Sequence, residues 1–283
     1  MISAPKLAFA MAFAAAATGA SAQQRPQIPA DSVVIAPPYA DYADLVLAAP
    51  AIIDATIRSS TRLKGPDAAG VAPNMARLYV EADVLALIRG TAALPPRIAY
   101  VLDVPVDARG KLPKLRKLRV LLFARPVPGN ATLVQLVRPD AQRDWTPGAD
   151  ALTRRITQET LSPDAPPKVT GIGNAFHVTG DLPGSGETQI FLTTADSRPV
   201  SIGIQRTPGE QPRWSVALSE LVGEGAVPPA RDTLLWYRLA CALPPELPAS
   251  SLTSLSDSDA TIAREDYRLV IRSLGPCNRG GSR

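Results

Sequence analysis

The sequence predicts a mainly β chain with added helices, an α+β fold. A small five-stranded barrel comes first, then an antiparallel β-meander with two C-terminal helices. Three observations carry this. Apolar runs rich in Val, Ile and Thr recur from Ala51 to Val137 with no long helical pattern between them. Four more short runs between Phe176 and Leu218 are separated by turns rich in Gly or Pro. The 29 prolines disfavour long helices.

The first segment stands outside that fold. MISAPKLAFAMAFAAAATGASA places one basic residue, Lys6, before an apolar run and ends in Ala20-Ser21-Ala22, the small-x-small pattern of a cleaved signal peptide. This predicts residues 1–22 as a leader, Gln23 as the mature start, and a periplasmic or secreted protein. No later stretch holds the roughly 18 apolar residues that a spanning helix needs, so no transmembrane segment is expected after cleavage. Residues 23–41 read as a proline-rich arm.

The barrel is expected over 42–138. After a short turn or helix around DLVLAAP, a long strand runs near 51–63 and GPDAAGVAPN forms a loop. MARLYVEADVLALIRG alternates and gives a strand near 76–89 that stops at Gly90. RIAYVLDVPVD, RVLLFARPV and ATLVQLV supply three more, the last two joined as a hairpin by Pro128-Gly129-Asn130. Residues 139–170 hold five prolines and read as a connector whose GADALTRRITQETL forms one surface helix.

The last region, 171–283, is the meander plus helices. FHVTGDL, TQIFLTT, VSIGIQRT and RWSVAL are its strands. RDTLLWYRLACAL lacks Gly and Pro and reads as a helix. SDSDATIAREDYRLVIRSL follows Ser and Asp capping residues and ends at Gly275-Pro276, a stop signal. Cys241 and Cys277 are the two cysteines, one near the end of each helix. An exported chain meets oxidising conditions, so a disulfide is the default. Two thiols with no nearby histidine make a poor zinc pair, and no metal site or cofactor is expected.

The order of the barrel strands is similar to a known family. The "ADLVLAA" opening, a strand ending in Arg89-Gly90, and a later strand with Leu121-Leu122-Phe123 resemble the netrin-like modules of the tissue-inhibitor-of-metalloproteinase type. The resemblance spans roughly 42–137 and implies an OB-like barrel. Those inhibitors carry cysteines at the mature N-terminus, whereas the first cysteine here is Cys241, so protease inhibition does not follow. The C-terminal part resembles the tails of exported alphaproteobacterial proteins of unknown function, which implies location and no activity.

Candidate chemistry is sparse. His177 is the only histidine, so any Ser-His-Asp or Cys-His arrangement would have to use it. In FHVTGDL it reads as a strand residue facing solvent or a neighbour. Gly171-Ile172-Gly173 and Gly184-Ser185-Gly186 do not sit between a strand and a helix, so they read as turn glycines and not phosphate cradles. Asp257, Asp259, Glu265 and Asp266 lack calcium-loop spacing and suit a helix N-terminus. No catalytic residue is assigned.

One stretch is unusual. RGKLPKLRKLR carries Arg109, Lys111, Lys114, Arg116, Lys117 and Arg119 in eleven residues. From Ala108 to Pro139 there are eight basic residues and no acidic one. After leader removal the chain has 29 basic and 26 acidic residues, so everything outside this segment is net acidic. Such polarisation suits local attraction of an anion. The other reading is a solvated loop at the barrel rim, with Pro113 preventing an amphipathic helix. The expectation is an exported, non-catalytic protein that binds an anionic envelope component or another exported protein. Nucleic acid is not expected, for want of interleaved stacking aromatics. The alternative is a carboxylate-dependent envelope hydrolase, whose mark would be convergent carboxylates in a pocket.

Overall fold

The computed structural model describes residues 37–91, 93–220 and 225–278. The expected leader, 1–22, and the expected arm as far as residue 36 lie outside them. The described residues form one compact unit.

β1 (Ala51–Arg62), β2 (Met75–Arg89), β3 (Arg97–Pro105), β4 (Arg119–Val127) and β5 (Asn130–Leu136) follow the predicted runs closely. Their order is β1-β2-β3-β5-β4, and β1 also pairs with β4, which closes a five-stranded OB-like barrel. Closure depends on β1. Its register with β2 shifts at three places, with the extra residue on β2 at two of them and at Arg58 of β1 at the third, and these bulges add the bend and twist that let β1 serve two neighbours. Inside lie Ile53, Ala55, Ile57, Leu78, Val80, Tyr100 and Leu122.

β1 and β4 are buried on both faces. Val120, Leu122 and Ala124 point into the barrel, while Ile52, Leu121 and Phe123 face a second core. That is why RVLLFA reads as an unbroken apolar run. α1 (Tyr39–Ala48) covers this wall and sets Tyr42 edge-on against Phe123. Its first residues belong to what reads in sequence as the arm.

Residues 139–170 contribute to the same core. β6 (Gln142–Asp144), too short to show in sequence, pairs with β4. α2 (Pro147–Leu161) starts at Thr146, whose hydroxyl accepts from the Ala149 N–H, and buries Leu152 and Ile156.

The meander is β10-β9-β8-β7, all antiparallel: β7 (Val169–Thr179), β8 (Gly186–Thr194), β9 (Val200–Arg206) and β10 (Arg213–Ala217). β7 begins earlier than the sequence suggests. Gly171 and Gly173 are strand residues at register shifts, not turn glycines. A Cβ on Gly173 would come within 3.3 Å of the Phe191 carbonyl, so the glycine permits close approach to β8. α3 (Leu234–Ala240) is shorter than the apolar pattern because Asp232 has φ 58°, a left-handed turn that no helix continues through. α4 (Asp257–Leu274) ends where Gly275 takes φ 67°. It lays Ala263, Tyr267, Val270 and Leu274 into the core formed with Ile190, Ile202 and Trp214. Cys241 and Cys277 are bonded, tying the end of α3 to the segment after α4.

Candidate functional site

The basic stretch is the β3–β4 connection across one end of the barrel. It opens with a turn in which Asp107 Oδ1 accepts from the backbone N–H groups of Arg109 and Lys111, with Gly110 at φ 73°. The leucines at every third position divide their roles. Leu115 is buried against the barrel interior, Leu112 is half-buried and Leu118 is exposed.

The loop ends in an uncommon conformation. Lys117 has φ 70°, in the left-handed region that non-glycine residues seldom occupy. Two backbone hydrogen bonds hold it: Lys117 N–H to Ile57 O at 2.8 Å and Ile57 N–H to Leu118 O at 2.9 Å. They extend the β1–β4 ladder and set Arg116 and Lys117 against Arg58 of β1. Arg58, Ser60, Asp83, Arg116 and Lys117 line an open groove of about 580 Å³. Three cations face one carboxylate there, and Asp83 is already shared by Arg58 at 3.7 Å and Arg97 at 3.4 Å. The groove therefore carries net positive charge and can hold an anion.

All six predicted residues are exposed, and two of them line this groove. Arg116 and Lys117 enter the groove. Arg109 and Lys111 belong to the preceding turn, and Lys114 is exposed outside the groove lining. Arg119 does something else. Its guanidinium binds Asp54 through two bonds, Nε–Oδ1 at 2.9 Å and Nη2–Oδ2 at 2.6 Å, and stacks 3.7 Å from the centre of the Trp145 ring. Donating these bonds to the Asp54 carboxylate holds Arg119 even more firmly charged than usual. Asp54 is 1% exposed, in the doubly buried part of β1. A carboxylate amid Ile-Ile-Asp-Ala signals a partner, but its partner is 65 residues away. Arg58, by contrast, left no signal: it is one arginine in a polar strand end.

His177 turns to a neighbour. Its Nδ1 lies 2.9 Å from Thr188 Oγ1, and that hydroxyl donates to Asp266 Oδ2 at 2.5 Å. The hydroxyl has one proton and gives it to Asp266, so His177 must donate from Nδ1–H. Asp266 also accepts from Arg206 Nε at 2.8 Å. Asp266 thus sits mid-helix as a buried anchor, unlike Asp257 and Asp259, which do occupy the first turn of α4. A groove of about 280 Å³ beside it brings Glu265 and Asp266 together, and Arg206 binds both. These carboxylates are engaged with a cation. Among the described residues there is no group of three or more His, Cys, Asp or Glu placed to hold a metal ion.

No family model matches the chain, and no curated protein matches it.

Proposed function

We propose that the protein is an exported, non-catalytic binding protein that attaches to an anionic envelope component through the Arg58–Arg116–Lys117 groove. The observation that carries this reading is the left-handed Lys117, fixed by paired hydrogen bonds to Ile57. Strain of this kind persists where surrounding structure enforces it, and here it brings three cations to one groove. Export rests on the leader pattern of residues 1–22 and suits the Cys241–Cys277 disulfide. Kinship with netrin-like modules, and of the tail with exported alphaproteobacterial proteins, belongs to the same reading and rests on the residues quoted for it. Among the described residues no helix is long and apolar enough to cross a membrane.

The protein is expected to bind both immobilised heparin and phosphatidylglycerol vesicles at low salt, and to release steeply as salt approaches physiological strength. The triple substitution Arg58→Gln, Arg116→Gln, Lys117→Gln should lower the eluting salt concentration and leave the thermal midpoint within a degree or two. The stronger of the two supports separates a polyanionic saccharide from a lipid headgroup as source. Equal retention of the triple variant and wild type would reduce the loop to a solvated rim.

A further inference from the structure

A second opening lies elsewhere on the barrel, between β3 and β5. These parallel strands share one register pair, Ala99 with Leu133, and then diverge. A cleft of about 570 Å³ fills the space between them, within the range of sites that hold small ligands. Its floor and walls are Val134, Leu136 and Val137 on one side and Tyr79 and Val101 on the other. Tyr79 is 37% exposed and Val101 47% exposed, unusual for large apolar groups on adjacent barrel strands.

The main chain of both walls faces this cleft. Val106 N–H donates to Asn74 O, and Val84 N–H donates to Pro96 O. These bonds fix even-numbered β3 residues as the ones that bond β2, since β2 and β3 pair without a register shift. By the alternation of an antiparallel ladder, the N–H and C=O of Val101 and Asp103 point away from β2, toward β5. Pro105 follows with no N–H to leave open. On the other side, Val137 N–H donates to Phe123 O, so odd-numbered β5 residues bond β4 and Leu136 points its main chain toward β3. Continuing the parallel ladder would require Val101 to pair with Gln135, and that pair is not formed. Two strand edges therefore confront each other across an apolar gap.

The charges choose the occupant. Arg77 binds Asp103 through Nε and Nη2, at 2.8 and 2.9 Å, and these bonds hold the Asp103 carboxyl below its ordinary range. At the opposite lip, Arg138 and Arg143 share the single carboxylate Asp140. Arg138 Nε sits 2.8 Å from Asp140 Oδ1 but out of hydrogen-bonding alignment, and this buried N–H has no acceptor. Counting Arg77, Arg138 and Arg143 against Asp103 and Asp140, the mouth thus carries one positive charge in excess.

We propose that this cleft is a strand-addition site: it receives an extended apolar segment of a partner protein as a sixth strand between β3 and β5, with an acidic residue of that segment at Arg138. Main-chain bonds to Val101, Asp103 and Leu136 supply affinity that is indifferent to sequence, and the apolar walls with the cationic lip supply selection. The site is separate from the basic groove and stands or falls independently of it.

The test uses the full chain and a synthetic probe, acetyl-VTVTVE, followed by amide NMR and hydrogen exchange. The amides of Val101, Asp103 and Leu136 should shift on titration and exchange at least tenfold more slowly. A probe N-methylated at alternate residues should not bind, because the strand bonds are gone while the side chains remain. Acetyl-VTVTVK should bind at least threefold more weakly than the Glu probe to wild type, and Arg138→Gln should erase that difference. The probe variants leave the protein unchanged, so the inference stays testable if Arg138→Gln folds poorly. Failure of acetyl-VTVTVE to bind at millimolar concentration overturns the proposal, as does binding that leaves those three amides unprotected. Protection of the same amides by raised protein concentration alone overturns it in favour of a second copy of this chain.

Discussion

Replacing Cys241 and Cys277 together with alanine is expected to lower the unfolding free energy by about 4 kcal/mol, the chain-entropy value for the loop that the bridge closes. The two residues are 36 apart in sequence, and the loop contains the whole of α4. The effect should be large because α3 has only seven helical residues. An isolated helix of that length is unstable, so α3 depends on what anchors it. Leu234, Trp236 and Leu239 are buried in the core, and Trp236 donates through Nε1 to the Leu274 carbonyl at 2.9 Å. The bridge holds the other end. In a denaturant titration the midpoint should fall, and in a thermal scan it should fall by roughly 10 °C, for a chain of this size. Native protein should show no free thiol after denaturation without reductant. An unchanged midpoint in the double variant would mean that core packing alone fixes α3 against α4.

Arg119→Met is expected to be the most damaging single change in the basic stretch. Asp54, left inside the barrel wall without its partner, should make this variant clearly less stable, because breaking a buried pair leaves one group uncompensated. Asp54→Leu with Arg119→Met in one chain should recover most of that loss, since both charges leave together and apolar surface replaces them. Lys114→Gln, by comparison, should leave the midpoint unchanged, as expected of an exposed loop cation. The measurement is a double-mutant cycle by denaturant unfolding. If Arg119→Met is as stable as Lys114→Gln, the pair with Asp54 is incidental and Arg119 belongs with the free cations of the loop.

The same two arginine-rich neighbours, Arg116 and Arg119, show where reading a sequence succeeds and stops. Both sit in one run of like charge, and a run of like charge predicts exposure. All six basic residues from Arg109 to Arg119 are indeed exposed, in whole or in large part. What separates them is which strand lies opposite. Arg119 is the first residue of β4 and faces Thr56 across the β1–β4 ladder, so its side chain reaches Asp54. Arg116 precedes the left-handed Lys117 and turns toward Arg58 instead. His177 is a parallel case: its strand was readable, but Thr188 and Asp266, which fix its tautomer, come from another strand and a helix.

Local order was enough to place most elements: five barrel strands, four meander strands, the helix that ends at Gly275, and a cysteine pair near the ends of two helices. These follow from apolar periodicity, turn residues and caps, which act between residues a few positions apart and so are written in local order. β6 escaped because three residues make no period. Tertiary structure alone decided that β1 coils to meet β4, that β3 and β5 part after Ala99 and Leu133, and that Asp54 and Arg119 form a pair. Each of these is a contact between distant segments, chosen by how the whole barrel closes and where buried charge and unpaired backbone find partners. No local pattern encodes that choice, because the same strand would satisfy its own periodicity beside any neighbour.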